Sequence, residues 1–247
     1  MSNEFPLTTI SLNILGEVAT VVLQRPEAAN ARNQAMRNEL SYVWTLLASR
    51  TDVNVVVLTA AGDRFFCAGM DLKESVSEES SGERRDRLRS SRDIEQLASL
   101  PQPTIAAING YALGGGFEMA LACDIRIVSE DAQVGLTELA HGLVPGGGGT
   151  QRLPRLIGHA RAAEMLFLGL KISGSDSVQW GIANKCVPRS ELDDEAQKLA
   201  SEIAKQPRRS LVYGKELLRM SQETSLSTGV QNELDVLLTL LNDRQSN

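Results

Sequence analysis

Two glutamates and a run of glycines are the residues in this chain whose types and spacing suit chemistry. From Ile105 to Glu138 the sequence gives a short apolar strand (IAAIN), then a glycine turn (GYALGGG). Phe117 and Glu118 then open a helix, and a second glutamate follows at Glu138. Gly114, Gly115 and Gly116 lack a Cβ, so a ligand can approach their backbone closely. They stand where a helix begins, and the first N–H groups of a helix have no partner within it. Those free donors and the helix dipole both favour negative charge at that end. An oxyanion held there would lie beside two carboxyl groups able to exchange protons. The plain alternative is that a first-turn glutamate merely complements the dipole.

The elements that must position these groups follow from periodicity. Thr8 to Leu15 and Val18 to Leu23, separated by Gly16-Glu17, read as a hairpin. Met36, Leu40, Val43 and Leu47 recur at helical spacing, and Val53 to Thr59 is a β-branched run suited to a buried strand. Ile105 to Ile108 and Asp124 to Val128 are further short strands, which predicts a mixed sheet with crossover helices. Lys73 to Asp93 is polar and charged, the composition of a solvated loop with an exposed helix, and also of a flap over a pocket.

After Gly158 the pattern is helical almost throughout. Ala160 to Leu168 leads to a turn at Ser173-Gly174, a helix start near Ser175-Asp176 and an apolar stretch from Ala183 to Val187. Leu192, Ala196, Leu199 and Ile203 mark one amphipathic face; Leu226, Val230, Leu234, Leu237 and Leu241 mark another. Self-association is a natural way to bury such faces.

Composition narrows the function classes. The 247 residues are 42% hydrophobic and 23% charged, enough to build a sizeable core. A formal charge of −6 argues against nucleic acid as the main partner. Cys67, Cys123 and Cys186 are odd in number and widely spaced, which suits a reducing compartment, and no pair has metal-ligand spacing. The first residues lack the layout of a secretory signal, and no apolar run approaches a membrane span. A soluble cytoplasmic protein is expected. GYALGGG lacks the dinucleotide-binding spacing, and Pro145 to Thr150 (PGGGGT) lacks the lysine of a phosphate loop. Without a Ser/His/Asp set a hydrolase ranks low, and His141, three residues from Glu138, reads as structural.

Three separated segments carry a resemblance. FFCAGMDLKE at Phe65 to Glu74, PTIAAINGYALGGGFEMALACDIRI at Pro103 to Ile127 and LTELAHGLVPGGGGTQRLPRLIG at Leu136 to Gly158 resemble the enoyl-CoA hydratase/isomerase, or crotonase, superfamily. The likeness runs from VVLQRPEAANA to about Asn242. It implies an α/β spiral of ββα repeats over residues 1–190 holding the acyl-CoA site. A C-terminal helical oligomerisation region over 191–247 follows, and the assembly is a homotrimer or dimer of trimers. By motif position, an acyl-CoA thioester oxygen sits between the backbone N–H groups of Met70 and Gly115. Ala68, Asp71, Leu72 and Lys73 fall in the segment near the nucleotide of coenzyme A. No metal or separate cofactor is implied, since coenzyme A belongs to the substrate.

Glu118 and Glu138 fall at the two catalytic glutamates of the hydratases. Retaining both favours adding water to a trans-2-enoyl-CoA to give a 3-hydroxyacyl-CoA. An enoyl-CoA isomerase with Glu138 as proton shuttle is the runner-up, and an idle acyl-CoA-binding subunit is the alternative of a different class. Cys67 and Cys123 read as small core residues. Two departures stand out. Many hydratases continue past LLTLLNDRQSN into a helix with basic residues that contact coenzyme A; either the outer end of the site is more open here, or another basic side chain such as Arg32 substitutes. Phe117 replaces a smaller residue, and would restrict the acyl chain if it faced the pocket or simply pack if it faced the core.

Overall fold

Strand β3 (Val55–Ala60) is apolar at almost every position because both its faces are covered. Val55 and Val57 point to one side, and Val56, Leu58 and Ala60 to the other. The computed structural model that shows this describes residues 6–74, 80, 82 and 92–245. The expected hairpin is β1 (Ile10–Leu15) with β2 (Val18–Leu23), turning at Gly16 with φ +58°. Helix α1 (Gln34–Ser49) follows, capped by the Asn33 side chain, which accepts from Met36 N–H.

From β3 onward, each turn of the chain adds one strand to each of two sheets. β3 is followed by β4 (Phe65–Cys67) and helix α2 (Asp93–Ala98); β5 (Thr104–Ile108) by β6 (Tyr111–Leu113) and α3 (Gly115–Ala122). β7 (Ile125–Ser129) is followed by β8 (Gln133–Gly135), α4 (Gly149–Ile157) and α5 (His159–Leu168). Then come β9 (Ile172–Ser173), α6 (Gly174–Gln179) and β10 (Lys185–Val187). The larger sheet has the order β1-β2-β3-β5-β7-β10, the smaller β4-β6-β8-β9. Pairing is parallel except for β1 with β2 and β8 with β9. This is the anticipated spiral of ββα repeats. The strands of the smaller sheet were not foreseen, since elements of two or three residues show no usable period. Ser173 ends β9 and caps α6 by accepting from Asp176 N–H, which places the helix start at Gly174, one residue before the Ser175-Asp176 start that the sequence suggests.

Two apolar layers flank the larger sheet. On its inner face Met36, Leu40, Trp44 and Leu47 of α1 meet Phe66 and Phe117 in the main core. Phe117 is fully buried there and therefore packs instead of facing a pocket. On the outer face α7 (Leu192–Ala204) lays Leu192, Ala196, Ala200 and Ala204 against Val55, Val57, Ile105 and Ala107. Small residues at four-residue steps form a low ridge that lets the helix approach the strands. Helices α8 (Arg208–Met220) and α9 (Leu226–Gln245) follow, and Leu226, Val230, Leu234, Leu237, Leu238 and Leu241 of α9 remain between 44% and 85% exposed. No helix among the described residues is long and apolar enough to cross a membrane.

The contact of α3 with β4 is the tightest joint near the glycine turn. A Cβ added at Gly116 would lie 2.1 Å from the Cys67 carbonyl oxygen, and backbone cannot yield there cheaply. Gly116→Ala should therefore lower stability by about 3 kcal/mol or more, seen as a fall in Tm. Gly214→Ala in α8, where an added Cβ meets nothing within 4 Å, should instead stabilise by about 0.5–1 kcal/mol. A tolerated Gly116→Ala would show that the α3–β4 approach is looser than described.

Candidate active site

Two backbone segments meet above the smaller sheet. The first leaves β4 as Ala68-Gly69-Met70, with Gly69 at φ +97°; the second leaves β6 as Gly114-Gly115, with Gly114 at φ +51°. Both glycines hold left-handed backbone that a side chain would strain. A Cβ on Gly69 would lie 3.1 Å from Gly115 N, and one on Gly115 would lie 3.8 Å from Met70 N. Gly115 is the first residue of α3, so its N–H has no intrahelical acceptor. Neither that N–H nor the Met70 N–H donates to a backbone acceptor among the described residues.

The Met70 segment is fixed by the loop before α1. Arg32 N–H donates to Gly69 O at 2.7 Å, Asp71 N–H donates to Arg32 O at 3.1 Å, and Ala68 N–H donates to Ala29 O at 3.1 Å. The buried Asn30 side chain ties that loop to Ala61 O and Phe65 O at 2.9 and 2.8 Å. The Asp71 carboxylate pairs with Arg25 at 3.1 Å and also accepts from Lys73 N–H at 3.2 Å. Leu72 and Lys73 are exposed. Of the polar stretch 73–93, residues 75–79, 81 and 83–91, where a flap was considered, lie outside the described residues.

Glu118 sits one turn into α3 and is 3% exposed. Its Oε1 accepts from Gly147 N–H at 2.7 Å and Gly149 N–H at 2.8 Å, leaving Oε2 with no hydrogen bond among the described residues. These two glycines belong to the PGGGGT run. The sequence offered that run only as a failed phosphate loop, although consecutive glycines do expose N–H groups to an anion. Gly147 must be small: a Cβ there would lie 2.9 Å from Glu118 Oε2 and 2.6 Å from the Ile94 side chain.

Glu138 opens a 3-10 turn, Glu138–His141, and lies against the glycine turn: a Cβ on Gly114 would be 3.2 Å from Glu138 Oε1. Both carboxyl oxygens are closed off from solvent with no hydrogen-bond partner among the described residues. Burial pushes its pKa up to about 7, and the nearby Glu118 charge adds to the rise. His141 is exposed. Cys67 and Cys123 are buried, and desolvation pushes their thiols up to about 11 and about 12. Groups so protonated are poor nucleophiles at neutral pH.

Arg32 does not reach outward as a coenzyme A contact. It is 8% exposed, and its Nη2 donates to both oxygens of Asp93 at 2.6 and 2.7 Å. Two opposite charges taken out of water settle on each other, which the sequence spacing of 61 residues could not announce.

Raising the Glu138 pKa from 4.5 to about 7 means that the folded state holds this proton more tightly than the unfolded chain. The ionised carboxylate thus costs stability. The cost is absent below pH 4.5, grows as pH rises toward 7 and is complete above it. Glu138→Gln should raise stability at pH 8 by about 1–2 kcal/mol, a range reduced because the residue is partly exposed, and leave it unchanged at pH 4. Denaturant titrations at both pH values check this; equal effects at both would contradict the assigned burial.

A match to the family model described as Enoyl-CoA hydratase/isomerase spans residues 13–247. A short-chain-enoyl-CoA hydratase of Clostridium acetobutylicum is 35% identical, over 92% of this chain and 87% of that one. The crystal structure of an enoyl-CoA hydratase from Bacillus anthracis superposes with TM-score 0.91 at 38% identity, covering 95% of this chain and 92% of that one. A candidate enoyl-CoA hydratase of Thermobifida fusca YX, solved in complex with acetoacetyl-CoA, superposes with TM-score 0.88 at 32% identity, covering 95% of each. Matched along nearly its whole length in sequence and in fold, the chain belongs to the enoyl-CoA hydratase/isomerase family and has the crotonase fold.

Proposed function

We propose that the protein hydrates a trans-2-enoyl-CoA to a 3-hydroxyacyl-CoA. The observation that carries this reading is the pairing of two unlike carboxyl groups at one glycine turn. Among the described residues Glu118 is pinned through one oxygen with no hydrogen bond on the other, and Glu138 is buried without a hydrogen bond, its pKa pushed up to about 7. Environments that differ in this way suit one group to take a proton and the other to give one. The acetoacetyl-CoA complex of the Thermobifida relative supports an acyl-CoA ligand.

In this mechanism the water oxygen bonds to the β carbon and its proton passes to Glu118. The C=C π electrons move toward the thioester, whose oxygen gains enolate character between the N–H groups of Met70 and Gly115. Glu138 then delivers its proton to the α carbon, and the carbonyl re-forms. Proton exchange with solvent returns both carboxyl groups to their starting states. Preorganised donors of this kind are each worth about 3–4 kcal/mol in the barrier. Ala68, Asp71, Leu72 and Lys73 flank the mouth of the site toward the nucleotide of the substrate.

Purified protein given crotonyl-CoA should yield 3-hydroxybutyryl-CoA. Glu118→Gln and Glu138→Gln should each cut that rate by about 10²-fold or more without loss of fold. The wild-type hydration rate should fall as pH rises through about 7, because Glu138 must start protonated. Isomerisation of a 3-enoyl-CoA without hydration, with Glu118→Gln harmless, would replace this reading by proton shuttling through Glu138 alone. Binding with no turnover of either would leave an acyl-CoA-binding subunit.

The exposed leucines of α9 support self-association, as a trimer or dimer of trimers. Leu234→Arg with Leu241→Arg should reduce the particle to a monomer in light scattering; an unchanged mass would remove α9 from the interface.

A further inference from the structure

Arg32 touches both halves of the glycine pair by different means. Its main chain clasps the Met70 segment, donating to Gly69 O at 2.7 Å and accepting from Asp71 N–H at 3.1 Å. Its side chain lies against the other half: a Cβ on Gly115 would come within 2.9 Å of Arg32 Nη1. The guanidinium is oriented from behind. Nη2 alone takes both Asp93 oxygens, at 2.6 and 2.7 Å, and Asp93, on α2, is 1% exposed. Nη1 makes no hydrogen bond among the described residues. The ion pair is therefore a fixed dipole, with its negative end at α2 and its positive end toward Gly115.

We propose that Arg32, held by Asp93, is a positioning residue that backs the Met70 and Gly115 N–H pair with a buried positive charge, so that the site polarises a thioester carbonyl more strongly than two backbone donors would. The proposal rests on the acyl-CoA reading above. The charge acts where negative charge develops on the oxygen, and a fixed charge in a site closed to water is worth far more than one in solvent. Uniform binding of the substrate is unaffected, so the effect belongs in kcat.

The test uses the full chain and removes both charges together, since removing Arg32 alone would leave Asp93 buried and unpaired. Arg32→Met/Asp93→Asn and Arg32→Gln/Asp93→Asn are compared with wild type, the second keeping a polar pair in case the first fails to fold. Two readouts are taken: turnover of crotonyl-CoA, and the infrared carbonyl stretch of bound butyryl-CoA labelled with ¹³C at the thioester carbon. Wild type should lower the bound carbonyl frequency. Both double variants should lose much of that shift, with kcat down about 10- to 100-fold and KM within about twofold. Arg32→Lys, which keeps the charge, should recover part of both. A folded double variant with the wild-type carbonyl shift and kcat would overturn the proposal and leave hydration standing. A shift lost in the variants of a protein that hydrates nothing would overturn hydration and keep the proposal.

Discussion

Backbone packed on backbone, where the end of β4 meets the start of α3, is the constraint on which the rest of the molecule depends. The Cys67 carbonyl and Gly69 lie so close to Gly116 and Gly115 that no side chain fits between them. Such proximity brings backbone from distant parts of the chain together, so that a Cβ on Gly115 would lie 3.8 Å from Met70 N. It also dictates what surrounds them: left-handed glycines to turn the chain, a buried asparagine to tie down the preceding loop, and Phe117 rotated into the core behind the joint. The larger sheet, covered on both faces, supplies the rigidity that holds the two segments together.

Legibility in the sequence divides along the range of the forces involved. The hairpin and α1 were readable because each repeats its apolar residues over enough positions to show a period, and β3, β5 and β7 because they are short apolar runs rich in β-branched residues. The smaller sheet was not, because a three-residue strand such as Gln133–Gly135 has no period and owes its existence to its neighbours. Glu118 and Glu138 were identified by their types and their place beside the glycines. The partners of Glu118, by contrast, are main-chain donors 29 and 31 residues away, and side-chain identity carries no trace of them. Arg32 exposes the same blind spot: a basic residue reads as a surface group until a carboxylate from a distant helix, here Asp93 of α2, is found against it.

The two carboxyl groups also show how burial can separate residues of one type. Oε1 of Glu118 receives two N–H donors, whereas both oxygens of Glu138 lie buried with no hydrogen bond among the described residues, and desolvation lifts the Glu138 pKa to about 7. Chemical identity is the same; the number of aimed dipoles differs. A fold that aims two glycine N–H groups at one carboxyl and buries the other needs no second residue type to give the two different surroundings.

The stretch 138–149 carries Glu138 at its first residue and, through Gly147 and Gly149, grips Glu118 at its last. Both ends are anchored: Leu143 N–H closes onto Glu138 O at 3.1 Å, and Arg152 holds Gly147 O at 2.7 Å while bridging to Glu95 at 2.9 Å. The two carboxyl groups are thus tied to opposite ends of one short segment, as by the jaws of a calliper. Lengthening or shortening that segment by a residue would reset the gap without touching either glutamate. Chain length between positions 142 and 146 therefore bears on how far apart the two carboxyl groups stand, separately from the identity of the residues at either end.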